Sequence, residues 1–573
     1  MKILLTAINA KYIHSNLAVY CLKAYAKKYD SDITIAEYTI NQQVDDILMS
    51  IYKEHPDVLM FSCYLWNITY VEAVVTEIKK ILPDTEIWLG GPEVSFDAED
   101  VLGRLPQVKG VMKGEGEETF LELMEYYHQK DRELSAIAGI TYYGDRIYNN
   151  PWRSVMELSK VPFVYHHMED FQNKIIYYET SRGCPFSCSY CLSSIDKQLR
   201  FRDLELVKEE LQFFIDQEVP QVKFVDRTFN CRHEHAMTIW KYIVEHDKGI
   251  TNFHFEVAAD LLKEEELLLM ETMRPGLIQL EIGIQSTNPE TICEIRRTMK
   301  FEEVKRIVLQ INSGHNIHQH LDLIAGLPLE DYKSFHHSFN DVYALRPNQL
   351  QLGFLKVLKG SYMGERVKDY ELIYQTRPPF EVLATKWMSY DEIMRLKGVE
   401  DMVEVYYNSG QFQHTMEFLE TFFADAFTMY ETLADYYEEN GLRQVNHTRI
   451  ARYEILLTFA AQYKVDTKHI GELLIYDLYL RENVKNRPAF AGEMTVSKEE
   501  SRMFYEQEAR ERSYLAGYEQ YDKNQLRKMT HLERIEGKLL LFDYQNRSPL
   551  NHQAKVVEVQ RLSLSREHRR WEQ

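Results

Sequence analysis

Three cysteines lie within eight residues of one another, in the segment Gly183-Cys-Pro-Phe-Ser-Cys-Ser-Tyr-Cys-Leu192. Cys184, Cys188 and Cys191 have the spacing C-x3-C-x2-C, which places three thiols on one tight loop. Three thiolates can bind three irons of a 4Fe–4S cubane and leave the fourth iron open to a small molecule, whereas all-cysteine clusters use four. The residues leave two alternatives open: a zinc site completed by a histidine, and three structural cysteines.

The chain has seven cysteines, an odd number, and its first residues lack the apolar core of a signal peptide. A disulfide framework is therefore disfavoured, and metal binding or catalysis is the better explanation for the group of three. The other cysteines stand in apolar, periodic surroundings, so we predict that they are buried small hydrophobic residues. These are Cys21, Cys63, Cys231 and Cys293.

The cysteine segment resembles the motif of the radical S-adenosylmethionine (SAM) enzymes. The resemblance implies that the open iron of a 4Fe–4S cluster binds SAM and that one electron cleaves the sulfonium to give a 5′-deoxyadenosyl radical. Tyr190 matches the aromatic residue that precedes the third cysteine and packs beside the adenine. An external electron donor, flavodoxin-like or ferredoxin-like, is the partner that this resemblance implies.

Two further segments resemble turns of the same family. Residues 225–230 resemble the Asp-Asp-x-Phe turn of cobalamin-linked radical SAM enzymes, which implies a cofactor-binding role for Asp226, although Arg227 replaces the second aspartate. Residues 320–331 resemble the Gly-Leu-Pro-Gly-Glu turn that follows a later strand, with Leu329 in place of the second glycine. An ordinary turn would explain the second segment equally well.

The segment Glu281-Ile-Gly-Ile-Gln-Ser286 resembles an element at the fourth strand of the family, whose polar side chains face the ribose of SAM. Carried over position by position, the resemblance implies that Gly283, Gln285 and Ser286 bind SAM. The alternative is an ordinary buried strand end.

The elements that must position these residues follow from the hydrophobic pattern. Residues 1 to about 130 alternate helical patterns with short, nearly all-apolar strands, which are typical of a parallel sheet covered on both faces. We predict a doubly wound sheet with its ligand crevice at the carboxyl ends of the strands. The predicted strands are Ile3–Ala7, Ile33–Tyr38, Val58–Ser62, Ile87–Leu89 and Val108–Met112.

This first domain resembles the cobalamin-binding modules that are fused to radical SAM barrels. The resemblance implies cobalamin-binding roles at the predicted strand ends for Ser62, Gly90, Gly91, Gly114 and Glu115. The Asp-x-His-x-x-Gly signature of mutase-type domains is missing from the sequence, so we predict that His14 is a surface histidine and not an axial cobalt ligand. The alternative is a degenerate sheet that only docks on the barrel.

Strand and helix patterns alternate again from Ile175. Six βα units in about 180 residues predict a partial (β/α)6 barrel with its site at the carboxyl ends of the strands. The predicted strands are Ile175–Thr180, Val222–Val225, Phe253–Val257, Leu277–Ile284, His318–Ile324 and Gln349–Phe354.

After about Gly360 the strand pattern fades, and a mainly helical domain follows. The fold class that we predict is therefore α/β, with domains at 1–150, 151–365 and 366–573. Features predicted for the last domain are a helical region Met416–Asn440 capped by Gly441, a solvated helix Lys498–Arg512, and strands Lys538–Tyr544 and Lys555–Leu562.

Composition excludes several classes. The 573 residues carry a net charge of −21, which argues against a nucleic-acid-binding protein because such proteins show a basic stripe. No apolar run approaches the ~20 residues that a membrane span needs. These features favour a cytoplasmic enzyme.

The resemblance implies a cobalamin-dependent radical methyltransferase that acts on an unactivated carbon. Alternatives are a rearrangement or cyclisation with the same cofactors, a tRNA methylthiotransferase, and a non-enzymatic cobalamin or redox sensor. Methylthiotransferases carry three further cluster cysteines in the first domain, whereas here only Cys21 and Cys63 precede the motif. The sequence does not indicate the substrate.

Overall fold

The computed structural model describes residues 1–11, 14–128, 132–463, 465–484, 486–493 and 496–560. The chain divides into two compact units, the first formed by residues 1–335 and 353–390 and the second by 336–352 and 391 onward. Within the described ranges, no helix is both long enough and apolar enough to cross a membrane.

The first unit begins with a seven-stranded sheet, the front sheet, in the order β2-β1-β3-β4-β5-β6-β7. The first five strands in chain order pair in parallel, and the last two add an antiparallel hairpin. The strands are β1 Ile3–Asn9, β2 Ile33–Thr39, β3 Val58–Ser62, β4 Glu86–Gly90, β5 Gly110–Met112, β6 Ile140–Tyr143 and β7 Ile147–Asn149. The helices are α1 Leu17–Tyr25, α2 Val44–Glu54, α3 Ile68–Ile81, α4 Pro92–Ser95, α5 Ala98–Arg104 and α6 Glu117–His128.

Both faces of the front sheet are covered, which explains the continuous apolar strands. All seven residues of β1 are buried. Leu4 and Ile8 belong to one hydrophobic cluster, while Ile3 and Leu5 belong to another on the opposite face. Successive residues of a strand point to opposite faces, so a strand buried on both sides must be apolar throughout. The predicted doubly wound sheet is confirmed.

A six-stranded sheet follows, the barrel sheet, in the order β15-β14-β13-β12-β11-β8. It is an open, partial barrel, as predicted, because β8 and β15 form its two edges. The strands of this region are β8 Ile176–Tyr178, β9 Ser181–Arg182, β10 Arg200–Phe201, β11 Gln221–Phe224, β12 Asn252–Val257, β13 Ile278–Gln285, β14 His318–Ala325, β15 Gln349–Phe354, β16 Ile373–Tyr374 and β17 Val382–Ala384. The helices are α7 Leu204–Asp216, α8 His233–His246, α9 Glu264–Glu271, α10 Pro289–Glu294, α11 Phe301–Ser313, α12 Tyr332–Tyr343 and α13 Tyr362–Glu365.

Strand β8 is shorter than the predicted Ile175–Thr180. The backbone N–H of Thr180 donates to the Asp226 side chain and not to a neighbouring strand. Strands β9 and β10 then form a small antiparallel pair. Residues 183–199, which we call the cysteine loop, lie between these two strands.

The second unit is mainly helical and ends in a three-stranded antiparallel sheet. The helices are α14 Tyr390–Val403, α15 Gln413–Glu420, α16 Ala426–Glu439, α17 Arg449–Gln462, α18 Thr467–Arg481, α19 Lys498–Glu511 and α20 Lys523–Met529. The strands are β18 Thr530–Ile535, β19 Lys538–Arg547 and β20 Ala554–Glu558. Sequence patterns missed β18, and residues 561 and 562 of the predicted last strand lie outside the described residues.

Two expectations for this unit need correction. Residues 416–440 form parts of two helices and not one, because the Asp425 side chain accepts a hydrogen bond from the Thr428 N–H and starts α16 anew. Gly441 has a φ of +63° just after this helix, as predicted for a cap. Helix α19 is not solvated all round, since Phe504 and Tyr505 are buried in its apolar face.

Candidate active site

A cavity opens at the carboxyl ends of the central strands of the barrel sheet. It holds about 910 Å³ of empty space, part of it open to solvent. All three cysteines of the motif line it. The same wall includes Tyr190, Glu256, Gly283, Gln285 and Arg297.

The cysteine loop is held by backbone hydrogen bonds. The Cys184 N–H donates to the Asp196 carbonyl at 3.1 Å, and the Ser189 N–H donates to the Ile295 carbonyl at 2.9 Å. Cys184 and Cys188 are buried and Cys191 is half-buried, and burial raises the pKa of the Cys184 thiol.

Neither a fourth cysteine nor a histidine is among the described residues that line the cavity. The donor set therefore fits three irons of a cubane with one iron left open, and it does not fit a zinc site completed by histidine.

Asp226 anchors the start of the cysteine loop from behind. Its fully buried carboxylate accepts hydrogen bonds from the Thr180 N–H at 2.9 Å and from the Thr180 and Ser181 hydroxyls at 2.6 Å each. Burial raises the pKa of Asp226 to about 6. Asp226 does not line the cavity among the described residues, so its contacts are those of a positioning residue, and the predicted cofactor contact is not part of this geometry.

Gly283 and Gln285 lie on either side of a β-bulge in β13. Gln285 has a φ of +72°, a strained conformation for a residue with a side chain. A Cβ on Gly283 would collide with the Gln285 amide nitrogen, so the glycine is what allows that side chain to turn into the cavity. The Oε1 atom of Gln285 is buried and has no hydrogen-bond partner among the described residues, which fits a side chain placed to bind a polar ligand.

Ser286 lies apart from the cavity lining. It is fully buried, its hydroxyl donates to Glu330 at 2.6 Å, and the Asn288 N–H donates to it at 3.0 Å. Leu329 has a φ of +63°. The turn therefore keeps the glycine-like conformation although the second glycine is replaced.

Arg297 is a site residue that sequence motifs did not indicate. Its Nη1 lies 3.4 Å from the Tyr190 hydroxyl and 3.7 Å from the Cys188 sulfur, and its Nη2 donates to the Gly283 carbonyl. Arg297 therefore joins the cysteine loop to β13. The sequence does not indicate a role for Arg297, because this residue follows a short helix and belongs to no recognisable motif.

The predicted cobalamin-binding glycines do stand at the carboxyl edge of the front sheet. Gly91 has a φ of +115°, and a Cβ there would collide with the Cys63 carbonyl oxygen. A Cβ on Gly114 would lie 3.4 Å from the half-exposed Trp152 ring. Gly90 also lies at this edge, where a Cβ would contact a Met112 side chain. Glycine thus permits close backbone approach at this edge.

Ser62 and Glu115, predicted at the same edge, make protein contacts. The Ser62 carbonyl accepts a hydrogen bond from the Asn67 amide at 2.8 Å. Glu115 accepts from Arg200 at 2.6 Å and from the Met156 N–H at 3.0 Å. Glu115 thereby joins the edge of the front sheet to β10, the strand directly after the cysteine loop.

Three predictions about single residues are wrong. His14 is buried, with its ring stacked on Tyr177 at 4.9 Å between centroids. Cys293 is exposed on α10, and Cys231 is only half-buried, because local apolar periodicity does not tell which side of a short helix faces the core. Cys21 and Cys63 are buried as predicted.

Family models match three segments of the chain. The B12 binding domain matches residues 3–124, the radical SAM superfamily matches residues 178–342, and a protein family of unknown function, DUF4080, matches residues 368–557. The chain therefore combines a B12-binding domain with a radical SAM domain. The cysteine loop and its cavity lie in the segment that matches the radical SAM superfamily.

Relatives of this chain include methyltransferases. One is 2-(S-pantetheinyl)-carbapenam-3-carboxylate methyltransferase of Streptantibioticus cattleyicolor, 27% identical over 49% of this chain and 44% of the relative. Another is the cobalamin-dependent radical SAM methyltransferase TokK of Streptomyces tokunonensis, 24% identical over 67% of this chain and 61% of TokK. The matches thus span less than two thirds of each of these relatives.

A solved structure has the same fold. The radical SAM methyltransferase TsrM of Kitasatospora setae, with cobalamin and a [4Fe-4S] cluster bound, aligns with a TM-score of 0.54 at 17% identity over 64% of this chain and 78% of TsrM.

Proposed function

We propose that this protein is a cobalamin-dependent radical SAM methyltransferase that acts on an unactivated carbon. The observation that carries the proposal is the cavity itself, where Cys184, Cys188 and Cys191 face Gly283 and Gln285. The B12-binding sheet in front of it, and methyltransferases among the relatives, support the same reading.

The cofactors supply one-electron cleavage of SAM and a transferable methyl group when they are bound. The three cysteines would hold the cluster, and the bulge at Gly283 would present the Gln285 amide to SAM. Arg297 keeps Tyr190 and the cysteine loop against β13. The protein's part is therefore to orient the cofactors and to restrict the access of water.

The overall balance of the proposed reaction is definite. One substrate C–H becomes C–CH₃; one SAM donates the methyl and leaves as S-adenosylhomocysteine. A second SAM leaves as methionine and 5′-deoxyadenosine, which carries the hydrogen taken from substrate. Two electrons are needed for each turnover, and we propose a flavodoxin-like or ferredoxin-like protein as their source. The proposed substrate is a small molecule.

The test is anaerobic reconstitution with iron, sulfide and cobalamin, followed by assays of cluster content, bound cobalamin and deoxyadenosine under reductant. Cys188→Ala should lose the cluster and deoxyadenosine formation. Cys293→Ala is the matched control, because this cysteine is exposed and outside the cavity lining, and it should behave as wild type.

The products distinguish the alternatives. Methylated substrate with S-adenosylhomocysteine supports methyl transfer, whereas deoxyadenosine without a methylated product indicates rearrangement or cyclisation. Both cofactors bound without cleavage of SAM would indicate a sensor. A cluster-bearing protein that never binds cobalamin would contradict the proposal.

A further inference from the structure

The inner face of the barrel sheet is polar. In β13, buried Ile278, Leu280, Ile282 and Ile284 alternate with the partly exposed set Gln279, Glu281, Gly283 and Gln285. The interior of a closed (β/α)8 barrel is instead filled with layers of bulky, branched apolar side chains. The inner face of this open barrel is therefore built to contact water or a polar ligand.

Charged side chains from four neighbouring strands meet on this face. The Lys223 ammonium and the His254 Nε2 each lie 3.0 Å from the same oxygen of Glu281. On the next strand, His320 lies 3.0 Å from Asp322. The side chain of Lys223 is 28% exposed, that of Glu281 22% and that of Asp322 16%, although all three stand on central strands. A ligand in the cavity can therefore reach Glu281 and Asp322, which line it.

Three carboxylates of this face line the cavity that contains the cysteines: Glu256, Glu281 and Asp322. Glu281 already has Lys223 and His254 as partners. The Glu256 side chain makes no hydrogen bond or ion pair with the described residues, and burial together with the nearby charge of Glu281 raises its pKa to about 7. Among the described residues, the cavity lining also includes a fourth carboxylate, Asp260, and two guanidinium groups, Arg227 and Arg297. The wall thus carries more carboxylates than basic side chains.

The excess of carboxylates favours ligands with N–H or O–H groups over apolar or anionic ligands. An apolar ligand would remove water from the carboxylates without replacing its hydrogen bonds, which is unfavourable. A site built to bind N–H or O–H groups discriminates strongly against analogues that lack them. An anionic ligand would be repelled by the same carboxylates.

A metal ion is a weaker interpretation of the same residues. The ligand atoms of Glu281, His320 and Asp322 do lie within 4.8 Å of one another. However, the Lys223 ammonium already stands beside Glu281 where a cation would bind. These charged side chains are thus better explained as a binding surface for an organic ligand.

We propose that the substrate is a hydrophilic small molecule, neutral or cationic, whose N–H or O–H groups are bound by Glu256, Glu281 and Asp322. Lipids and other largely apolar molecules are excluded. This inference rests on the proposed methyl transfer, and the experiment below separates the two.

The test uses the reconstituted holoenzyme with SAM deuterated in its methyl group, reductant, and a metabolite extract of the native host. The extract is divided into an organic phase and an aqueous phase, and the aqueous phase is passed over an anion exchanger. Mass spectrometry then locates the CD₃ label. We expect labelled product among aqueous molecules that the anion exchanger does not retain.

Label in the organic phase, or in the anionic fraction, overturns the inference while methyl transfer stands. Deoxyadenosine without label in any fraction overturns both. A separate kinetic test uses the labelled substrate with Glu281→Gln, and with Asp322→Asn in case the first variant fails to load its cluster. We expect KM to rise at least about tenfold, equal to 1.4 kcal/mol. Exposed Glu245→Gln, on α8, is the matched control. An unchanged KM in both cluster-loaded variants would also overturn the inference.

Discussion

Arg200 donates a hydrogen bond to Glu115 at 2.6 Å across 85 positions of sequence. Arg200 also pairs with Asp196 of the cysteine loop at 2.6 Å. Glu115 follows the last parallel strand of the B12-binding sheet, so this contact connects the proposed cobalamin edge to the cysteine loop. Both side chains are mostly buried, which makes the ion pair less screened than one on the surface.

Removal of this ion pair should uncouple the two halves of the reaction. In Arg200→Met we expect Glu115 to keep the Met156 N–H but to lose the Arg200 guanidinium, and the unfolding free energy to fall by about 1–3 kcal/mol. Deoxyadenosine formation should stay within about twofold of wild type while methylated product falls at least tenfold, measured together by liquid chromatography with mass spectrometry. Arg306→Met is the control, because this side chain is half exposed on the outer face of α11. A parallel fall of both products would contradict this role.

Asp226→Ala should weaken cluster loading. The substitution leaves one N–H and two hydroxyl donors of the cysteine-loop entrance without their acceptor. We expect a loss of about 3 kcal/mol in unfolding free energy and less iron per chain after reconstitution. Chemical denaturation and iron analysis test this. Full iron content with unchanged stability would show that the carboxylate is dispensable.

Gln285→Gly should change stability and SAM affinity in opposite directions. Glycine relieves the positive φ of +72°, which is expected to stabilise the apoprotein by about 1 kcal/mol. Loss of the cavity-facing amide should weaken SAM binding at least about tenfold in equilibrium dialysis with the cluster loaded. His55→Gly, at a φ of +45° in the front domain, should gain stability without affecting SAM. Unchanged SAM affinity in Gln285→Gly would reject the proposed contact.

Alanine substitutions at the neighbouring glycines Gly90 and Gly91 should differ sharply in their effect on stability. Gly91→Ala places a Cβ against the Cys63 carbonyl in a conformation that side chains rarely adopt, so we expect a loss of about 3 kcal/mol and impaired cobalamin binding. Gly90→Ala meets only the flexible Met112 side chain at 3.3 Å and should stay within about 1 kcal/mol of wild type. Thermal unfolding and cobalamin absorbance measure both. Equal effects would show that the close approach at Gly91 is not decisive.

The affinity for substrate should rise with pH around neutrality. Burial and the nearby Glu281 raise the pKa of Glu256 to about 7, above its usual value, so its carboxyl loses its proton as pH increases through that value. The charged form is the stronger acceptor for an N–H or O–H group, so KM should fall by up to about tenfold between pH 6 and pH 8. Glu256→Gln should flatten this dependence in steady-state assays. A pH profile that the substitution leaves unchanged would assign the dependence to another group.

The cysteine motif, the strand order along the chain and the fold class could be predicted because their signals are local. Cys184, Cys188 and Cys191 are close in space because they are close in sequence, whatever the rest of the chain does. Each predicted strand of the front sheet is a short run of nearly all-apolar residues, so a window of a few residues is enough to recognise it. The polar face of the barrel sheet also has a local signal in the sequence. His254, Glu256 and Glu281 are polar residues within strands that are otherwise mostly apolar.

Other features depend on contacts between distant residues, and only the tertiary structure decided them. Asp226 lies behind the cysteine loop and not in the cavity because Thr180 and Ser181 fold back onto it. Arg297 reaches Tyr190 only when α10 is placed beside the loop. Local sequence therefore determined the ligand set and the elements, whereas packing between elements decided which polar side chains face the cavity and which hold it in place.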